Sequence, residues 1–182
     1  MSLKFPSKSE ILISKLSACP RGRKGASEFE KICVEIWEFL FPELGRAVRQ
    51  SRTRSGTDRR DAIFSTRLIE SGPWSGIKRE FDTNLLILEF KNYDTQSLTP
   101  KDVNQLSNYM RWWLGRLAIL CSTKAPGKNV LTKQTSIFLN DRKLILIITT
   151  EHLKKMLNMK ERGVDPIMLI LEELDNFYLR CE

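Results

Sequence analysis

Glu89 and Lys91 stand two residues apart at the end of the apolar run Leu85-Leu86-Ile87-Leu88. Alternate side chains of a strand share a face, so the acid and the lysine point one way and Phe90 the other. An acid and an ammonium group at the end of an otherwise apolar strand are costly to bury without a use for them. They are either an edge salt bridge where the strand meets solvent or a pair of catalytic groups. Asp61 favours the second reading. It opens the preceding short strand, Arg60 to Ser65, just past the turn signal Ser55-Gly56-Thr57, and in an adjacent strand it lies beside Glu89. Two converging carboxylates call for a hard cation, and Mg2+ takes such oxygen ligands together with water and phosphate. The competing reading pairs Asp61 with Arg59 or Arg60 at the surface. Asp58 is a rival carboxylate, nearer the turn and more solvated.

Glu30 is a third acid. Its helical neighbours Val34, Trp37 and Phe41 are apolar, so its flank is partly buried, whereas Glu28 shares a flank with Lys31 and Glu35. An acid on the buried flank can point at a site above a sheet; the alternative is an ordinary surface glutamate. Around Asp61 lies an arginine crowd, Arg46, Arg49, Arg52, Arg54, Arg59, Arg60 and Arg67, with only Asp58 and Asp61 as acids among them. Arginine forks suit phosphate better than a generic solvated face does. Arg21, Arg23 and Lys24 offer a second patch. The chain carries 30 Lys and Arg against 22 Asp and Glu, a net charge of +8, which predicts attraction to polyanions.

Other chemistries find little support. His152 is the only histidine, and the four cysteines, Cys19, Cys33, Cys121 and Cys181, are spaced too widely for a metal knuckle. That leaves no zinc site and no nuclease built on paired histidines. Cys33 and Cys121 sit in apolar patterns and read as core. The compartment is expected to be reducing and cytoplasmic. No signal peptide is recognised, and no apolar run reaches the length of a membrane span.

The elements that must position these residues follow from periodicity. Ala26 to Phe41 carries an apolar stripe at Phe29, Ile32, Cys33, Ile36, Trp37 and Leu40, with Ser27 as N-cap and Pro42 as stop. Arg46 to Arg54 reads as extended. Residues 67–83 read as an excursion between strands. Asn84 to Lys91, apolar on both faces, is the interior strand. Thr99-Pro100-Lys101-Asp102 starts a helix whose stripe is Val103, Leu106, Met110 and Trp113. Of the neighbouring Trp112 and Trp113, the second reads as core and the first as packing, with stacking on a base or a protein contact as its alternatives. Strands are expected at Leu117 to Ser122 and Lys143 to Thr149, a helix capped by Thr150 running to Gly163, and a last helix from Asp165-Pro166. With 182 residues the expectation is one α/β domain, a mixed sheet flanked by helices, with its core over about residues 20–150 and C-terminal helices over 150–181.

Taken in order, Glu30 in SEFEKICVEIWEFLF, Asp61 in RRDAIF, Glu89 and Lys91 in LILEFKNY, and Gln105 in VNQLSNYM resemble the PD-(D/E)xK nuclease superfamily. The Glu-Phe-Lys strand followed by a helix bearing Gln and then Tyr is most similar to its Mrr-like restriction-endonuclease branch. The resemblance covers roughly residues 20–150. Arg60 stands where the motif's name has proline, and the stretch from Asp61 to Glu89 is long, suggesting an insertion.

The resemblance implies a restriction-endonuclease-like core and a metal-dependent DNA endonuclease. Asp61 and Glu89 would hold Mg2+, with Mn2+ able to substitute. Glu30 would assist the metal shell, Lys91 would orient or help deprotonate the attacking water, and Gln105 would support the site from its helix. It also implies restriction or defence against foreign DNA. The chain is small for both this core and a separate recognition domain, so a homodimer, or a separate protein that recognises the target or activates cutting, is expected. Other readings are an inactive DNA-binding module on a nuclease fold, a junction resolvase or RNase, and a basic protein-interaction adaptor.

Overall fold

The computed structural model describes residues 5–52 and 59–181, with no side-chain description over 50–60. Two helices come first, α1 (Lys8–Ala18) and α2 (Ala26–Leu40). An antiparallel ribbon follows, β1 (Val48–Arg52) and β2 (Arg59–Ser65), and then α3 (Gly72–Glu80). The interior strand β3 (Leu85–Lys91) leads through α4 (Pro100–Tyr109) to β4 (Leu117–Ser122), and through α5 (Lys128–Asp141) to β5 (Leu144–Thr149). The chain ends in α6 (Thr150–Glu161) and α7 (Ile167–Leu179).

The five strands lie in sequence order. β1, β2 and β3 are antiparallel, whereas β3, β4 and β5 run parallel. The parallel half needs crossovers, and α4 and α5 supply them on one face. There Ile87, Ala118, Leu120, Ile145 and Ile147 pack against Val103, Leu106 and Ile137. On the other face, Leu86, Leu88 and Phe90 join Ile119, Ile148 and the apolar sides of α1, α2, α3, α6 and α7. With cover on both sides, β3 to β5 are apolar on both faces, as the uninterrupted run of β3 required. The chain is an α/β protein with a mixed sheet flanked by helices, and among the described residues no helix is long and apolar enough to cross a membrane.

Several local readings need correction. Gly25, not Ser27, caps α2, and Thr149, not Thr150, caps α6 by accepting from the His152 amide. Trp113 lies beyond the end of α4 and is 53% exposed. It meets Trp112 edge-on at 5.6 Å and is not core, and Trp112 is itself exposed and not packed into the protein. The 67–83 excursion holds α3, whose Trp74 packs on Trp37 and Phe41. Ser55-Gly56-Thr57, together with Arg54, falls outside the described residues.

One contact sets the entry to α2. Asn92 Nδ2, just past β3, donates to the carbonyls of Pro20 and Gly22 at 2.8 and 3.1 Å. A Cβ on Gly25 would come within 1.8 Å of the Pro20 oxygen and 3.1 Å of Asn92 Nδ2. Only glycine allows the start of α2 to sit this close to the Pro20 carbonyl that Asn92 holds.

Candidate active site

β2 and β3 part company at their ends. Their described ladder stops at Ala62 opposite Leu88, while β2 stays paired to β1 as far as Arg59. One step further, the same register faces Asp61 with Glu89. The Asp61 side chain fills the opening: its Oδ2 accepts from the Phe90 backbone N–H at 2.9 Å. A carboxylate is thereby fixed against the backbone between Glu89 and Lys91.

Glu89 is 6% exposed. It follows Ile87 on the face covered by α4 and α5, while Phe90 turns into the opposite core as the alternation required. Lys91 Nζ lies 3.1 Å from Glu89 Oε1. Among the described residues Glu89 Oε2 has no hydrogen-bond partner. Burial, and then the Asp61 charge, push the Glu89 carboxyl up to about 7, against the pull of Lys91; Glu30 adds a smaller repulsion. A buried acid with one orphan oxygen and a second carboxylate beside it stores repulsion that a cation would relieve.

Glu30 reaches the neighbourhood from the other side of the sheet. It is half-buried on α2, close enough for its charge to be felt at Glu89, and Glu28 is exposed. Among the described residues no three Asp, Glu, His or Cys side chains converge as a ready cation cage. Asp61 and Glu89 therefore offer a carboxylate pair, the kind of set that suits an ion keeping several waters and phosphate oxygens. Gln105 lies on the exposed side of α4 and donates to Tyr109 Oη at 2.6 Å.

Lys91 also lines a cleft of about 520 Å³ running along Phe90 to Gln96, with Gly22, Arg23 and Ala26 opposite. Arg46, Arg49 and Arg67 are exposed. In the β1–β2 ribbon the register sets Arg52 opposite Arg59 and Ser51 opposite Arg60. Asp102 is the site residue that sequence reasoning missed. Placed there only within a helix start, it is 9% exposed and stands 3.8 Å from Lys91 Nζ. Its place as the third helical residue gave one role, and nothing in the spacing disclosed that Lys91 would meet it.

No family profile matches the chain. It is 24% identical over 148 residues, 78% of its length, to the 80.3 kDa protein of transposon gamma-delta from Escherichia coli (strain K12), of which it spans 20%. Among solved structures it is similar to the restriction endonuclease FokI bound to DNA, with a TM-score of 0.57 and 14% identity over 88% of this chain and 31% of that one. The fold is thus restriction-endonuclease-like.

Proposed function

We propose that the chain is a divalent-metal-dependent DNA endonuclease of the PD-(D/E)xK kind, in its Mrr-like branch. One observation carries the reading. Asp61 and Glu89 converge where β2 and β3 separate, and Lys91 stands 3.1 Å from Glu89, on a restriction-endonuclease-like fold. Asp61 and Glu89 would hold Mg2+ or Mn2+. The orphan Glu89 oxygen and the mutual repulsion of the two acids fit that role. Once bound, such an ion neutralises charge on the scissile phosphate and makes water a better nucleophile. Lys91 adds a fixed positive charge beside phosphate and water. Glu30 would assist the metal shell, and Gln105 would support the site from α4.

The arginines of the β1–β2 ribbon, with Arg46 and Arg49, bind the DNA backbone. Arginine forks suit phosphate oxygens, and the run of arginines in this part of the sequence supports that role. Target choice comes from a second copy of the chain or from a separate protein, and the setting is cytoplasmic defence against foreign DNA. The likeness to a transposon protein favours a second setting, the processing of a mobile element's DNA by the same chemistry.

Incubating wild type and Asp61→Asn with supercoiled plasmid, branched DNA and RNA, in Mg2+, Mn2+ or EDTA, tests the reading. Metal-dependent plasmid nicking by wild type alone is expected. Binding without cleavage in every metal would make the chain an inactive DNA-binding module. Preference for branched DNA or RNA would make it a resolvase or an RNase, and absence of salt-sensitive binding would leave an interaction adaptor.

A further inference from the structure

Asp102 divides its two oxygens between two tasks. Oδ2 accepts from the Thr99 backbone N–H at 2.8 Å and from Thr99 Oγ1 at 2.9 Å, closing the first turn of α4. That would satisfy a helix cap. Oδ1 does something a cap does not need. It accepts from Tyr93 Oη at 2.7 Å and faces Lys91 Nζ at 3.8 Å.

We propose that Asp102, braced by Thr99 and Tyr93, is the positioning residue that holds Lys91 at the proposed catalytic centre. The inference rests on the endonuclease reading of the site. Lys91 has a flexible four-carbon stem, and its nearer partner, Glu89, is also a proposed metal ligand. A cation at Glu89 would repel the ammonium and compete for the same carboxylate. Asp102 lies outside the Asp61–Glu89 pair and keeps its charge for the lysine. Its own orientation is fixed by three donors from two segments of chain. The Thr99 contacts come from the helix start, and Tyr93 sits two residues beyond Lys91. Strand end and helix start thus meet on one carboxylate, and the ammonium is held between Glu89 and Asp102.

The test compares Asp102→Asn, Tyr93→Phe and Thr99→Ala in the full chain. Single-turnover plasmid nicking in Mn2+ should fall about 10–100-fold in Asp102→Asn, the usual size for a residue acting through another. The loss should be smaller in the same direction for Tyr93→Phe. DNA affinity in Ca2+ and Mn2+ affinity should not change. Thr99→Ala removes one of the three donors, the Oγ1 contact, and leaves both the Thr99 N–H and Oδ1 in place, so it should lower Tm and cost far less of the rate than Asp102→Asn. An equal rate loss in Thr99→Ala and Asp102→Asn would mean the effect runs through helix stability, and the proposal would fail. Acetylation of Lys91 by acetic anhydride, read by mass spectrometry, is a second readout independent of cleavage. It should be slow in wild type, clearly faster in Asp102→Asn and much less altered in Thr99→Ala. If wild type cuts nothing, the endonuclease reading fails by itself and the acetylation series still decides whether Asp102 holds Lys91. Equal acetylation in wild type and Asp102→Asn would overturn the assignment.

Discussion

The Asp61 carboxylate accepts the backbone N–H of Phe90 at 2.9 Å, so the acid of one strand is tied to the residue between the acid and the lysine of the next. That bond lets the strands separate without leaving the amide unpaired, and it keeps two carboxylates together despite their repulsion. Asp61→Asn separates the two roles. The carboxamide oxygen can still accept from Phe90, so the fold should survive with little change in Tm. As a ligand for a hard cation it is weaker. Mn2+ binding by calorimetry should weaken and cleavage should be lost, while DNA binding in EDTA should hold or improve. Normal metal binding and wild-type cutting by this variant would remove Asp61 from the site.

Glu89 predicts a pH dependence of stability. Its carboxyl is raised from 4.5 to about 7 in the folded chain, so between those values the folded state holds a proton that the unfolded state has lost. Stability from this group is therefore full below about 4.5 and declines as pH rises to about 7, by on the order of 3 kcal/mol. In EDTA, thermal melts should show that decline in wild type but not in Glu89→Gln. Saturating Mn2+ should restore stability above pH 7, where proton and metal no longer compete. A wild-type melting profile in EDTA parallel to that of Glu89→Gln would mean Glu89 is not perturbed.

The arginines that crowd Asp61 in the sequence predict salt dependence. Neutralising Arg52 and Arg54 together should weaken binding to all DNA sequences alike and lower the slope of log K against log salt by roughly 2, about one for each lost phosphate contact. Fluorescence anisotropy over a salt titration measures it. An unchanged slope would move the DNA surface elsewhere, with the Arg23 side of the cleft the next place to look.

Sequence pattern disclosed the parts of this fold whose signal is strong and regular. The stripe of α2, the doubly apolar β3 and the strands at 117–122 and 144–149 all emerged from periodicity. Three helices did not: α3, inside the excursion, and α1 and α5. α1 buries Leu12 and Leu16 but leaves Ile11 exposed, and α5 buries Val130, Ile137 and the polar Gln134, whose Nε2 is satisfied by the Ile145 carbonyl. Such narrow stripes are hard to tell from loop composition. The excursion at 67–83 was legible only as Gly and Pro punctuation, because Trp74 finds its partners 37 and 33 residues upstream, at Trp37 and Phe41. In the site, Glu89 and Lys91 could be placed on one face by alternation. The meeting of Asp102 with Lys91 depends on how α4 packs over β3, a tertiary relation that no local spacing encodes.

The flank of α2 ranks its acids. Glu30 is half-buried and acts electrostatically on Glu89, while Glu28 is exposed. Glu30→Gln should reduce cleavage more than Glu28→Gln in two folded variants assayed side by side. The Glu30 change should also lower the apparent pKa of Glu89, because it removes one of the charges that raise it. The opposite ranking would show that the half-buried acid is a bystander.

Lys91→Ala tests whether the lysine belongs to the chemical step or to the metal. An ammonium is not a metal ligand, so Mn2+ binding should persist. It should not persist unchanged across pH, however. Lys91 is the main group lowering the Glu89 carboxyl, and its loss lets burial and Asp61 raise that group further. Protons then compete with the ion to a higher pH. Calorimetry should accordingly show near-normal Mn2+ affinity at pH 8.5 and a deficit at pH 7 that wild type lacks. Cleavage should be lost at both values, because the positive charge beside phosphate and water is gone even where the metal is fully bound. Lys91→Arg restores the charge on a wider, planar head whose donors are arranged differently from those of an ammonium. It should recover the pH profile of metal binding while recovering little of the cutting. If Lys91→Ala cuts normally at pH 8.5, the lysine serves only to tune Glu89, and its place beside the attacking water must be given up.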